Sequence, residues 1–142
     1  MTEDEEDVRR ASARFYEALN KLCRGDPSAM PDAWHHSPIV TTVHPLGDWA
    51  SGWDQVWAGW QEIAKTATNG TIVARDINVC LYGDVAYTTC VEDVTVSYGE
   101  IPVHWSANVT NIFHKRGEWK MVHHHSDKAP AAEEAIEKLA EG

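Results

Sequence analysis

Three consecutive histidines, His123, His124 and His125, close the apolar run of "GEWKMVHHHSD". On the preceding segment an amide, Asn111, interrupts the apolar face formed by Val103, Trp105, Ala107, Val109 and Phe113. A further imidazole, His44, ends "SPIVTTVH" just before Pro45 and next to the tryptophan-rich "DWASGWDQVW". Imidazoles can take or deliver a proton near neutral pH, and a fixed amide can hold a developing oxyanion. Proton transfer beside a carbonyl, as in cyclisation or isomerisation, is the chemistry these types suit. His123 and His125, two apart on a strand, also have a spacing at which one metal ion could be shared, with His104 or His114 as a third ligand. Neither an H-E-x-x-H motif nor a Cys/His framework accompanies them, so no metal and no redox cofactor are expected.

The elements that must position these groups follow from period and punctuation. Thr2 and Glu5 form a capping box, acids crowd the first turn, and Val8, Ala11, Phe15, Ala18 or Leu19, and Leu22 recur at helical spacing up to a stop at Gly25. Tyr16 on this helix lies where it could enter a cavity. A short second helix is predicted from Asp26, with Pro27 in its first turn, towards Trp34. A strand over 39–44 and a Pro-Leu-Gly-Asp turn follow. Ser51 and Asp54 then open a third helix that runs to about Lys65, where "TNG" ends it. Four strands are predicted at 71–81, 85–97, 102–114 and 118–126, joined by short glycine-bearing turns. The tail after Pro130 reads as a short helix or a frayed end. Helices first and then a run of strands indicate an α+β fold with helices on one face of a curved antiparallel sheet.

Register decides which way each imidazole points, because a slip of one residue exchanges faces. A four-residue hairpin loop over 115–118 sets Asn111 opposite Val122, with Val122, His124 and Ser126 on the inward face beside Asn111 and Val109. His123 and His125 then face outwards; a loop of three or five residues reverses the assignment. Trp119 and Met121 share parity with His123 and His125, so apolarity alone does not decide.

Composition narrows the function classes. At 142 residues the chain is expected to form a single domain over 1–142, with its core at about 5–128. A net charge of -10 and the lack of a basic stripe argue against nucleic acid as a partner. No apolar run reaches membrane-spanning length, and the acidic start "MTEDEEDVRR" lacks the apolar core of a signal peptide, so a cytoplasmic location without membrane contact is expected. Cys23, Cys80 and Cys90 show no C-x-x-C spacing and read as reduced thiols.

The order of these pieces resembles the nuclear transport factor 2-like, or SnoaL-like, superfamily, a cone-shaped α+β fold, over roughly residues 5–128. "YEALNKLCRGD" is similar to its first helix and exit, "TTVHPLGDWASGWDQVW" to its first strand and the next helix, "GDVAYTTCVE" to its central strand, and "VTNIFHKRGEWKMVHHHSD" to its final hairpin. That hairpin is also similar to the association domain of calcium/calmodulin-dependent protein kinase II, whose pocket arginines bind small carboxylates. Two of those arginines match Asn111 and Ser126 here, so that binding mode is not carried over. The hairpin likeness does support the parity in which Asn111, His124 and Ser126 face the cavity. Ketosteroid isomerase-like members use an acidic base with a Tyr/Asp oxyanion pair. No aspartate falls on a predicted inward face of this chain, so that chemistry is not transferred residue by residue.

Two readings stand. In one, His44, His124 and Asn111 are the catalytic polar groups of a pocket for a hydrophobic or aromatic small molecule, performing isomerase-, cyclase- or lyase-like chemistry. Tyr16, Trp34, Trp53, Trp105 and Ser126 line or complete that pocket. In the other, the chain is a non-catalytic module that dimerises through the outer sheet face, on which His104, Asn108, Thr110, His123 and His125 would lie. Interfacial histidines would make that dimer sensitive to pH near 6–7.

Overall fold

The computed structural model describes residues 2–45 and 48–142; the predicted turn at 45–48 therefore lies partly outside the described residues. Helix α1 spans Glu3–Leu22, and Thr2 Oγ1 accepts from the Glu5 N–H at 3.1 Å, as the capping box requires. Its apolar stripe is buried: Val8, Phe15 and Leu22 have no exposed surface. Each such side chain contributes roughly 1.5–3 kcal/mol by leaving water. The predicted second helix is only a single 3-10 turn over Met30–Ala33. With prolines at 27 and 31, the segment has too few N–H donors for an α-helical ladder.

Strands β1 (Thr41–Val43) and β2 (Trp49–Ser51) form a short antiparallel pair. The first is shorter than predicted, and the second was not foreseen. Helix α2 (Trp53–Thr66) starts from Gly52, at φ 84°, rather than from a Ser51 cap. "TNG" does not end it either. The chain passes straight from Thr66 into β3 (Ala67–Tyr82), followed by β4 (Val85–Tyr98), β5 (Ile101–Arg116) and β6 (Glu118–Ser126). Helix α3 (Pro130–Glu141) settles the alternatives for the tail.

The six strands form one sheet in the order β2-β1-β6-β5-β4-β3, antiparallel except where β1 runs parallel to β6. Helix α1 packs against β3 and β6, α2 against β1 and β3, and α3 against β4 and β5, which gives a curved sheet with helices in its concavity. Curvature has local causes. Register shifts in β3 fall around Asn69 (φ 54°) and Asp76 (φ 57°), residue types that tolerate the left-handed region, and such bulges bend a strand. Gly70 is held against the end of α1, where its N–H donates to the Cys23 carbonyl at 3.0 Å, and a Cβ at Gly70 would collide with Cys23. Asn20 completes the join. Its Oδ1 accepts from the Ile72 N–H (2.9 Å) and its Nδ2 donates to the Ile72 carbonyl (3.0 Å), as a neighbouring strand would. This clamp sets the level at which Tyr16 reaches β4.

Candidate active site

In β4 the inward face reads Ala86, Thr88, Cys90, Glu92, Val94, Val96 and Tyr98, all buried. A carboxylate in that row is the exception. Glu92 is 3% exposed, and its Oε2 accepts from the Tyr16 hydroxyl at 2.7 Å. Tyr16 Oη in turn accepts from Asn111 Nδ2 at 3.1 Å and lies 3.2 Å from Cys90 Sγ. Asn111 Oδ1 faces His124 Nδ1 at 2.6 Å. One direction of donation satisfies the whole row: His124 Nδ1–H to Asn111, Asn111 to Tyr16, Tyr16 to Glu92. This fixes the His124 tautomer with its proton on Nδ1 and leaves Nε2 with a free lone pair.

The pairing that brings Asn111 and His124 together differs from the four-residue loop. The ladder continues to Lys115↔Trp119 and Arg116↔Glu118 around Gly117 (φ 75°), so the turn is tighter than predicted. That register alone would put Asn111 opposite His123. Between Ile112↔His123 and Phe113↔Met121 the ladder slips by one residue at Val122, and Asn111 meets His124 instead of Val122. The same bulge explains why Trp119 and Met121 are buried along with His124 and Ser126: parity inverts between them. On the parallel side β6 is held by β1 through Thr42↔His124, and Thr41 Oγ1 meets His123 Nδ1 at 2.7 Å.

Glu92, His44, His124, Trp60, Trp105 and Tyr98 are among the walls of an inner cavity of about 50 Å³. A cavity of that size has room for about four water molecules. Of the predicted site residues, His44, His124 and Trp105 therefore share one hollow. Asn111 and Tyr16 stand one layer behind it: the Asn111 amide donates to Tyr16 and accepts from His124 but does not reach the cavity wall, where an oxyanion would have to be held. Trp34 is corrected to core: it is 1% exposed and packs on Phe15 and Trp60 with ring centroids 6.5 and 6.3 Å away. Trp53 lies at a surface cleft, stacked on His36 at 4.2 Å. Ser126 is buried but does not reach the cavity, and its Oγ donates to the Asp127 carbonyl. The indoles fill the cone more than they line it.

Electrostatics separate the acids and bases of the cavity. Burial pushes the Glu92 carboxyl up from 4.5 to about 7, against the lowering effect of the Tyr16 hydrogen bond. Burial takes His44 down to about 4, so its imidazole is neutral at physiological pH. Among the described residues neither ring nitrogen of His44 has a hydrogen-bond partner, an arrangement that costs stability unless another group completes it. Burial, with the neighbouring imidazoles His44, His123 and His125, drives His124 well below its usual range. Gly59 on α2 leaves room for this arrangement: a Cβ there would stand 3.3 Å from His44 Nε2. No three His, Cys, Asp or Glu side chains gather in a metal-binding cluster among the described residues.

Glu92, Trp60 and Tyr98 are among the cavity residues that sequence reasoning missed. The signal for Glu92 was its place in β4, two and four residues from Cys90, Val94, Thr88 and Val96 on one face. Trp60 sits on the buried stripe of α2 with Val56 and Ala64.

The SnoaL-like domain family matches residues 8–131, and the chain belongs to that family. Among solved structures it is similar to a proposed dehydratase of the nuclear transport factor 2-like family from Streptomyces avermitilis, at 27% identity and a TM-score of 0.77, covering 90% of this chain and 97% of that one. The calcium/calmodulin-dependent protein kinase II hub of S. rosetta shares the fold, at 22% identity and a TM-score of 0.70 over 87% of this chain and 95% of that one. An F-box protein of Arabidopsis thaliana, SKIP8, is 28% identical over 99 residues, which is 69% of this chain. The chain spans about 40% of the length of that curated relative. No helix is long and apolar enough to cross a membrane among the described residues.

Proposed function

We propose that this protein is a cofactor-independent enzyme that moves a proton next to a carbonyl group of a small molecule, with isomerisation, cyclisation or elimination as the net result. The observation that carries the reading is Glu92: a buried carboxylate on a cavity wall, held at one oxygen by Tyr16 and titrating near neutrality. A base tuned to its working pH transfers protons most effectively. In the ionised form Glu92 takes the proton from the carbon beside the carbonyl, and the C–H electron pair becomes the enolate double bond. Neutral His44 donates the N–H that steadies the enolate oxygen. A neutral imidazole suits this role because its own pKa stays low. His124 presents Nε2 as acceptor for a substrate hydroxyl. Asn111 and Tyr16 are positioning residues that align His124 and Glu92 through the hydrogen-bonded row.

Exchange of the α-protons of 2-butanone in D2O, followed by proton NMR, tests the assignment. The wild-type chain should speed exchange with a rate that rises through about pH 7, as the Glu92 base ionises. Glu92→Gln should lower the rate by roughly 100-fold or more. Equal rates for the two proteins would remove Glu92 from the role.

The outer sheet face supports a second, compatible reading, self-association. No helix packs there among the described residues; His104, Asn108 and His125 are exposed on it, with Val91 and Ile112 half-buried between them. We infer that two copies pair through this face. Sedimentation at micromolar concentration should give the mass of two chains. The mass of one chain would contradict it.

A further inference from the structure

The inner cavity is too small for more than the reacting part of most substrates, yet it shares two of its walls with a larger depression. Ile63 and Tyr98 line the inner cavity and also a surface groove of about 310 Å³, completed by Ile136 and Leu139 of α3. We propose that hollow and groove are one bipartite site, in which the carbonyl head of the substrate occupies the inner cavity and an apolar alkyl or aryl tail lies in the groove beneath α3. The assignment of the head rests on the proton-transfer reading; that of the tail rests on the groove alone.

Helix α3 is built to form such a wall. Ala132, Ala135, Ile136 and Leu139 follow the i, i+3, i+4, i+7 spacing of one helical stripe. The two alanines are buried, which lets the helix sit close to β5, while the two larger side chains remain half-buried above Tyr98. Ala129, just before the helix, donates its N–H to the Pro45 carbonyl at 2.8 Å, next to His44. Leu139 lies against the turn after β4, where a Cβ at Gly99 would come within 2.7 Å of its Cδ1. On the opposite wall stands α2, with Ile63 half-buried. A groove lined chiefly by apolar side chains recognises an apolar group by area and shape, without demanding polar partners. Because Ile63 and Tyr98 border both the inner cavity and the groove, the tail of the same ligand is the occupant favoured, ahead of a peptide or a second chain.

A series of methyl ketones from 2-butanone to 2-decanone tests this, with affinity read from tryptophan fluorescence and occupancy from the methyl NMR signals of Ile136 and Leu139. Dissociation constants should fall roughly fourfold for each methylene that enters the groove. The Ile136 and Leu139 methyl signals should move with 2-octanone and stay still with 2-butanone. The double substitution Ile136→Ser, Leu139→Ser should flatten the chain-length dependence and leave 2-butanone affinity unchanged. Should that variant not fold, the methyl signals of the wild-type protein decide. Affinity independent of chain length, still methyl signals with 2-octanone, or no ketone bound at millimolar concentration would each overturn the proposal. In the wild-type protein, affinity that does not change with chain length while 2-butanone exchange is catalysed would remove the tail groove and leave the acid–base reading standing.

Discussion

At the scale of single residues, the site is a contest between burial and hydrogen bonding, and Glu92 is where burial wins. Its pKa rises from 4.5 in the unfolded chain to about 7 in the folded one, so the folded state binds the proton more tightly. Stability from this group is therefore greatest below pH 4.5 and falls as the pH climbs towards 7. His44 has the opposite sign: burial takes its folded pKa to about 4, below the ordinary imidazole value of 6.5, so its contribution is lost on acidification through that window. The two trends oppose one another in the wild-type protein, but replacing Glu92 isolates its share. Across pH 4.5–8 the stability difference between Glu92→Gln and wild type should shift in favour of the variant by about 3 kcal/mol. Urea denaturation at several pH values would show it, and a difference constant with pH would mean that Glu92 titrates normally. His124 and Asn111 were legible as a pair because both interrupt apolar patterns. Glu92 was overlooked because the inward parity of its strand was not drawn, although the alternation that exposes it is regular.

Among the elements, α1, α2 and the four long strands could be read from periodicity and turn residues, and their ends differ from the prediction by a few positions. What escaped was the set of irregularities. The bulge at Val122 brings His124 opposite Asn111, and it cannot be read from period-2 alternation because it breaks that alternation. The predicted parity for His124 agrees with the structure through a different register. Two departures, a tighter turn and an extra residue, changed the pairing without changing the face. The bulges of β3 similarly depend on Asn69 and Asp76 adopting left-handed conformations, which their residue types permit but do not demand. The second helix failed for a more ordinary reason, its prolines. Strand β2 was missed because three residues carry too little pattern.

For the molecule as a whole, the fold class was legible because the order of elements along the chain limits how helices and a curved sheet can close on one another. The interior volume was not. Seven tryptophans suggested an aromatic-walled pocket, but Trp34 and Trp60 interlock with Phe15 and leave an inner space of about 50 Å³. Packing density of that kind depends on side-chain interdigitation, which sequence spacing does not encode. The consequence is a small inner cavity beside an outer apolar groove, and the proposed chemistry depends on one carboxyl group, Glu92, whose pKa burial raises to about 7. Carbon-13 NMR of the Glu92 side-chain carboxyl carbon, followed from pH 4 to pH 9, measures that directly. A midpoint near 7 is the predicted result; a midpoint near 4.5 would contradict the account.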